Sequence, residues 1–378
     1  MKREQAASRS IAVTGVGGGV GQAVLGALRL SPLHWRIVGL DAKPWGAGLY
    51  SCDRSYLLPP ASDASYVERL LQILTREQVP VLIPGSDPEL SVLAEERKQL
   101  LSKNVFPLVG AAEAVRLCRD KLATSRFFIK QGFPFARTVP ICEALRFADE
   151  VGYPLVIKPV GGSASSGIAV VFTAEQLQPF LHQDELIAQE YLVPMNWNKR
   201  RSELERRDAV PDGVLRQEDE ISVQVLFDHE GQWLGTFSSR NILKSGVPIF
   251  IDPWPRAPVE EIAFEMAASL VKEGLTGPCN LQCKLTERGP LFFEVNPRFT
   301  GITAVRAAMG FNEVEAVLRR LVLHEPLDEV RQQLQVPDDL VCSRYTTDVM
   351  ISRAKLDDAQ REGFVERSSD DFNDGQWE

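Results

Sequence analysis

The sequence predicts an α/β unit followed by an α+β unit, and two observations carry that expectation. Up to about residue 112, short apolar runs alternate with helix-like stretches, the order of a parallel sheet with helices on both faces. Beyond it, strands follow one another around a loop of glycine and serine, and later close into a polar-faced hairpin.

In the first unit the expected strands are Ile11–Thr14, Ile37–Leu40, Val81–Ile83 and Phe106–Val109. Helices are expected over Gln22–Leu30, Ala64–Glu77 and Glu89–Leu101. The turn TGVGGGVGQ, residues 14 to 22, follows the first strand directly. Its glycines miss the G-x-G-x-x-G spacing: Gly15 and Gly17 are in place, but the sixth position is Val20 and the closing glycine is Gly21. Asp41 ends the second strand where an acidic ribose ligand would stand, so a dinucleotide site stays open at this point. The loop PGSDPEL, residues 84 to 90, also follows its strand, and parallel sheets bind ligands at the carboxyl ends of strands. Gly15–Gly21 and Gly85–Asp87 are therefore expected to share one crevice.

The second unit opens with Asp120 and Lys121 ahead of the helix Leu122–Gln131, which stops at Gly132 with Pro134 beyond. Strands Leu155–Lys158 and Ile168–Phe172 then flank the loop Gly161–Gly167. Lys158 ends its strand where a fixed ammonium could meet a phosphate. The loop offers backbone N–H groups and the hydroxyls of Ser163, Ser165 and Ser166 to the same oxygens. Strands Leu186–Glu190, Glu220–Phe227, Trp233–Ser239, Asn280–Leu285 and Leu291–Val295 follow.

The last pair carries the strongest chemical signal. In LFFEVNPRF, residues 291 to 299, Glu294 and Asn296 are two apart on a strand and so share a face, with Gln282 within hairpin reach. A few oxygen ligands on a rigid sheet suit Mg²⁺, which takes its remaining ligands from water and phosphate. Arg298 is placed to steady charge on a transferred phosphoryl group.

Composition excludes several other classes. The chain of 378 residues is 44% hydrophobic and carries a net charge of −9, which speaks against nucleic acid or an anionic membrane as partner. Its six cysteines form no C-x-x-C pair, and Cys279 and Cys283 have no histidine near them, so free buried thiols are expected in place of a zinc site. The polar start and the lack of a bilayer-spanning run point to the cytoplasm. The stretch between Pro194 and Asp219 is polar and mixed in charge, and the acidic tail from Lys355 on is expected to fray.

The order Lys121, IKP with its Gly/Ser loop, QEYL, DEISVQVL and LQC…FFEVNPRFTG resembles the ATP-grasp superfamily, in particular its carbamoyl-phosphate synthase-like, amide-forming branch. The resemblance implies a Rossmann-like pre-ATP-grasp domain over 1–112, which helps hold the acceptor and binds no dinucleotide. It implies an ATP-grasp domain of two α+β subdomains over 113–188 and 189–325, then an extension over 326–378. Lys121 and Lys158 would hold ATP phosphates, with Gly161, Gly162, Ser163, Ser165, Ser166 and Gly167 folding over them. Glu190, Tyr191 and Leu192 would receive adenine, and Glu220 the ribose. Gln282, Glu294 and Asn296 would hold one or two Mg²⁺ ions, or Mn²⁺. Catalysis would fall to Arg298 and Lys158, with Arg240 as a further cation.

Gly17, Gly18, Asp87 and Arg306 are the acceptor-side candidates, Arg306 as a carboxylate clamp. Many members carry a carboxylate where this chain has Gln282, which bears on the number of metal ions. The implied reaction joins a small-molecule carboxylic acid to an amine through an acyl phosphate, in a homodimer. Two alternatives remain open: phosphorylation of bicarbonate, and an ATP-binding module that modifies or recognises a protein through the 194–219 stretch.

Overall fold

The computed structural model describes residues 9–162, 167–193, 210–211, 217–244, 246–336, 339–345 and 347–366. Ser10–Val13 (β1), Arg36–Asp41 (β2), Arg54–Leu57 (β3), Val81–Ile83 (β4) and Phe106–Pro107 (β5) lie parallel in the order β3-β2-β1-β4-β5. Such a sheet is buried on both faces, and its side chains divide accordingly. Ile11 and Val13 pack toward the helix Gly19–Arg29 through Val24 and Leu28. Ala12, Val38 and Leu40 pack toward the helices Tyr66–Glu77 and Asp87–Glu95 through Leu70, Leu74 and Leu90.

The expected tail is corrected over residues 355–366. Arg353–Glu362 is a helix capped by Ser352, and Phe364–Glu366 (β17) joins the first sheet antiparallel to β3. Little apolar surface suffices for this docking: Ala359 and Val365 are buried, and the Phe364 ring lies 5.9 Å from that of Tyr56. Arg54 pairs with Glu366 at 2.8 Å. The rest of the acidic tail, 367–378, lies outside the described residues, as do 194–209 and 212–216 of the polar stretch.

Thr138–Pro140 (β6), Leu155–Pro159 (β7), Ala169–Val171 (β8), Leu186–Glu190 (β9) and Val210–Pro211 (β10) form a second, antiparallel sheet in the order β10-β8-β7-β9-β6. The helix Ala144–Val151 covers it through Phe147 and Ala148.

The third sheet positions the chemistry. Gln217–Phe227 (β11), Trp233–Lys244 (β12), Val247–Pro253 (β13), Pro278–Thr286 (β14), Gly289–Asn296 (β15) and Cys342–Ser343 (β16) run antiparallel in the order β15-β14-β11-β12-β13-β16. One face is apolar: Ile221, Val223, Cys279, Leu281 and Cys283 cluster with Ala263, Met266 and Leu270 of the helix Ala257–Lys272. Burial there pushes the Cys279 and Cys283 thiols up from their ordinary range, the state of inert core cysteines. The alternation of the strands leaves Glu220, Ser222, Asn280, Gln282, Glu294 and Asn296 on the other face. Backbone bonds from Ala136 N to Phe292 O (2.7 Å) and from Phe292 N to Pro134 O (2.9 Å) tie this sheet to the chain entering the second. Among the described residues, no helix is long and apolar enough to cross a membrane.

Candidate active site

The polar face of the third sheet, the second sheet and the turn-bearing edge of the first enclose a cleft of about 510 Å³. Toward the second sheet its wall is apolar, built from Val156, Ile168, Val170, Leu192 and Phe293. Lys158 stands in that wall, 3% exposed. Its Nζ donates to Gln189 Oε1 at 2.9 Å, Gln189 in turn donates to Thr138 Oγ1 at 2.9 Å, and the Phe293 ring centroid is 6.0 Å away. Such a chain of bonds holds a buried ammonium in one orientation.

Lys121 begins the helix Lys121–Lys130, whose cap Asp120 accepts from Leu122 N and Ala123 N. Its ammonium reaches across to Gly162 O at 3.0 Å, which brings it to the Gly/Ser loop. Gly161, Gly162 and Gly167 are exposed, and Ser163, Ser165 and Ser166 lie outside the described residues. Glu190, Tyr191 and Leu192 line the cleft. The Glu190 carboxylate accepts from Arg137 N at 2.8 Å and Arg288 Nη2 at 2.6 Å, which fixes its side chain at this edge of the cleft.

Across the cleft, register sets Gln282 opposite Glu294 and Asn280 opposite Asn296. Gln282 Nε2 donates to Glu220 Oε1 at 2.9 Å, and Asn296 Nδ2 to Glu294 Oε1 at 3.2 Å. The amide nitrogens are thus engaged by carboxylates. Arg298 follows β15 and is gripped by Asp87 of the first unit, with Nε to Oδ1 at 2.6 Å and Nη2 to Oδ2 at 3.3 Å. Arg119 approaches the same carboxylate at 3.3 Å.

The two turns of the first sheet open into this cleft through Gly19, Val20, Gly85, Ser86 and Asp87. Gly17 and Gly18 are not in its lining; Gly17 N donates to Asp41 Oδ2 at 2.7 Å, and Lys43 N to Asp41 Oδ1 at 2.9 Å. Asp41 therefore braces the glycine turn, and its carboxylate is not offered to a ribose. A Cβ on Gly21 would sit 2.2 Å from Gly15 O, which explains a glycine there without any pyrophosphate.

Beneath this turn lies Glu89, whose Oε2 accepts from Thr14 Oγ1 at 2.9 Å and Ser86 Oγ at 2.6 Å. Burial, with a smaller push from Asp41, raises its pKa to about 7, against hydrogen bonds that lower it. The folded state then holds a proton that the unfolded chain has released above its ordinary value of 4.5, so stability falls as pH rises from 4.5 to about 7. The expected loss is about 3 kcal/mol. Urea unfolding at pH 5 and 7.5 should show it in the native chain and not in Glu89→Gln.

Two expected site residues lie elsewhere. Arg240 pairs with Ile221 in register, so it projects from the apolar side of the sheet, where it is exposed and stacks 4.2 Å from the Trp254 ring centroid. Its neighbour Asn241 faces the cleft in its place. Arg306 is fully buried, not a clamp: it pairs with Glu313 at 2.6 Å and donates to Thr300 Oγ1 at 2.8 Å. It acts behind the cleft wall, by fixing the loop that carries Thr300, Gly301 and Ile302. Thr300 falls within the stretch 298–306, where a wall of the acceptor pocket is expected, whereas Arg119, Asn241 and Arg344 are not among the expected site residues. Only Arg119 had a signal, its place two residues before Lys121.

The fold is that of the ATP-grasp enzymes. The chain matches the family model described as PylC-like, N-terminal domain over residues 11–108. It is 24% identical over 314 residues to the formate-dependent phosphoribosylglycinamide formyltransferase of Bacteroides fragilis, covering 78% of this chain and 76% of that protein. It is 22% identical over 262 residues to the carbamoyl phosphate synthase large chain of Thermotoga petrophila, covering 65% of this chain and 21% of that one. Among solved structures it is similar to the biotin carboxylase domain dimer of Hydrogenobacter thermophilus 2-oxoglutarate carboxylase, in complex with MgADP, ADP and bicarbonate. The TM-score is 0.62 at 16% identity, over 87% of this chain and 72% of that one.

Proposed function

We propose that the protein is an ATP-dependent ligase that joins a small-molecule carboxylic acid to an amine. The observation that carries this reading is the cleft itself: a buried, oriented Lys158 on one wall faces Glu294, Asn296 and Arg298 on the other. Such a site holds cations, amides and carboxylates and needs no covalent nucleophile, which is what phosphoryl transfer by positioning and charge neutralisation requires.

Adenine sits against the apolar wall and the backbone of Glu190–Leu192, with Glu220 at the ribose. Lys121, Lys158 and the 161–167 loop hold the phosphates. The oxygens of Gln282, Glu294 and Asn296, on one face of two paired strands, fit Mg²⁺ or the similar Mn²⁺. The ion supplies neutralisation of the charge on the phosphate oxygens. The acid's carboxylate oxygen attacks the γ-phosphorus, and the bond to ADP breaks. The amine then attacks the carbonyl carbon of the acyl phosphate, phosphate leaves, and the nitrogen loses a proton. Arg298 steadies the phosphoryl oxygens in both steps. Asp87 keeps its guanidinium in place, and the acceptor lies between Arg298 and the two turns of the first sheet. Small molecules are the substrates, and the assembly is a homodimer.

The test is phosphate release from MgATP across a panel of acids, bicarbonate among them, each with and without amines. Turnover that needs one organic acid and one amine supports the ligase. Turnover with bicarbonate alone assigns the carbamoyl-phosphate type of chemistry instead.

A further inference from the structure

Two cations of the cleft, Lys284 and Arg344, have no part in this scheme, and Lys284 already stands against Tyr191, its Nζ 5.2 Å from the ring centroid. Arg344 lies in the segment 339–345, far along the chain from every nucleotide-binding motif, yet it lines the same cleft as Lys158, Glu294 and Arg298. The fold delivers it deliberately. β16 pairs with β13 through Phe250–Ser343 and Ile251–Cys342, and Arg344 N donates to Ile249 O at 2.9 Å. Arg344 Nη1 then donates to Pro248 O at 3.1 Å, which pins the guanidinium at the cleft wall.

The other arginines at or behind the cleft walls are matched by carboxylates. Arg298 and Arg119 share Asp87, Arg288 holds Glu190, and Arg306 holds Glu313. Among the described residues Arg344 bonds to backbone carbonyls and meets no carboxylate. A guanidinium keeps five N–H donors in a planar fork and stays charged at every working pH, so most of its hydrogen-bonding capacity remains for a ligand. The nucleotide's own charge has Lys121, Lys158 and the ion that Gln282, Glu294 and Asn296 would hold to meet it. An arginine held at the wall by one carbonyl fits a second anion.

We infer that Arg344 binds a carboxylate of the substrate that does not react, so that one of the two molecules joined is a dicarboxylic acid or an amino acid. The inference rests on the ligase reading and deepens it. A bidentate, charge-assisted pair explains why an arginine, presented by a two-residue strand of the C-terminal extension, is brought to this wall.

The test compares matched acids and amines in MgATP-dependent phosphate release: succinate against its monomethyl ester, and glutamate against its α-amide. Each is run with the native chain, Arg344→Gln and Arg344→Lys. The native chain is expected to prefer the charged member of a pair by about 30-fold in kcat/KM, the size of a charge-assisted hydrogen-bonded contact. Arg344→Gln should reduce that preference to within about threefold, Arg344→Lys should retain part of it, and the KM for ATP should stay within about twofold in both. A native chain indifferent to the second charge overturns the inference. So does an Arg344→Gln variant that loses ATP affinity, or that slows charged and neutral members alike, since Arg344 would then serve the nucleotide. If no acid or amine stimulates phosphate release at all, the ligase reading falls first and takes the inference with it.

Discussion

Replacing Glu294 by alanine is expected to lower kcat for acid-dependent ADP formation by about 10³-fold. The size follows from the donor set. Gln282, opposite Glu294 in the β14–β15 pair, brings no charge, so Glu294 is the carboxylate that these two strands contribute to the cleft. Removing it leaves an amide pair, and neutral oxygens hold a hard divalent cation weakly. ADP binding should lose most of its dependence on Mg²⁺ in the same variant, a readout that does not pass through turnover. The fold should be spared. Glu294 is half-buried and accepts one internal bond from Asn296 at 3.2 Å, so unfolding should shift by about 1 kcal/mol or less. Activity within tenfold of the native chain would place phosphoryl transfer elsewhere.

Arg298→Ala is expected to lower kcat by about 10²–10³-fold with little change in the KM for ATP, the mark of a group that acts on the transition state. Asp87 is a positioning residue for it, because its two oxygens hold Nε and Nη2 at 2.6 and 3.3 Å across the junction of the first unit and the third sheet. Asp87→Asn should therefore reduce kcat by a smaller factor, about tenfold, and the double variant should be no slower than Arg298→Ala alone. Multiplying effects would mean that Asp87 touches the substrate independently of Arg298.

How far the sequence discloses this site depends on what each residue's placement requires. Glu294, Asn296 and Gln282 are legible because strand alternation alone puts two of them on a face and a short hairpin brings the third. Lys158 is legible from its place at the end of an apolar strand beside a glycine loop. Arg240 misleads because its face depends on the pairing of β12 with β11, which no local pattern states; one step along, Asn241 points inward. Arg306 misleads because its partner Glu313 stands beyond a turn, and an arginine with a buried carboxylate at 2.6 Å is no longer a free clamp. β3 and β17 escape notice for a related reason. Their segments read as polar, and they become strands through long-range pairing and through Tyr56, Phe364 and Val365. Arg344 arrives by the same kind of distant pairing, at the β13–β16 edge.

The fate of one oxygen atom tests the acyl phosphate directly. An acid labelled with ¹⁸O in its carboxylate is turned over with MgATP and an amine, and the released phosphate is analysed by mass. Ligation through an acyl phosphate predicts one ¹⁸O atom in each phosphate, carried from the acid when the amine displaces it. Phosphate that instead takes its oxygen from solvent water would mean that ATP is hydrolysed without activating the acid, and would rule out the acyl phosphate.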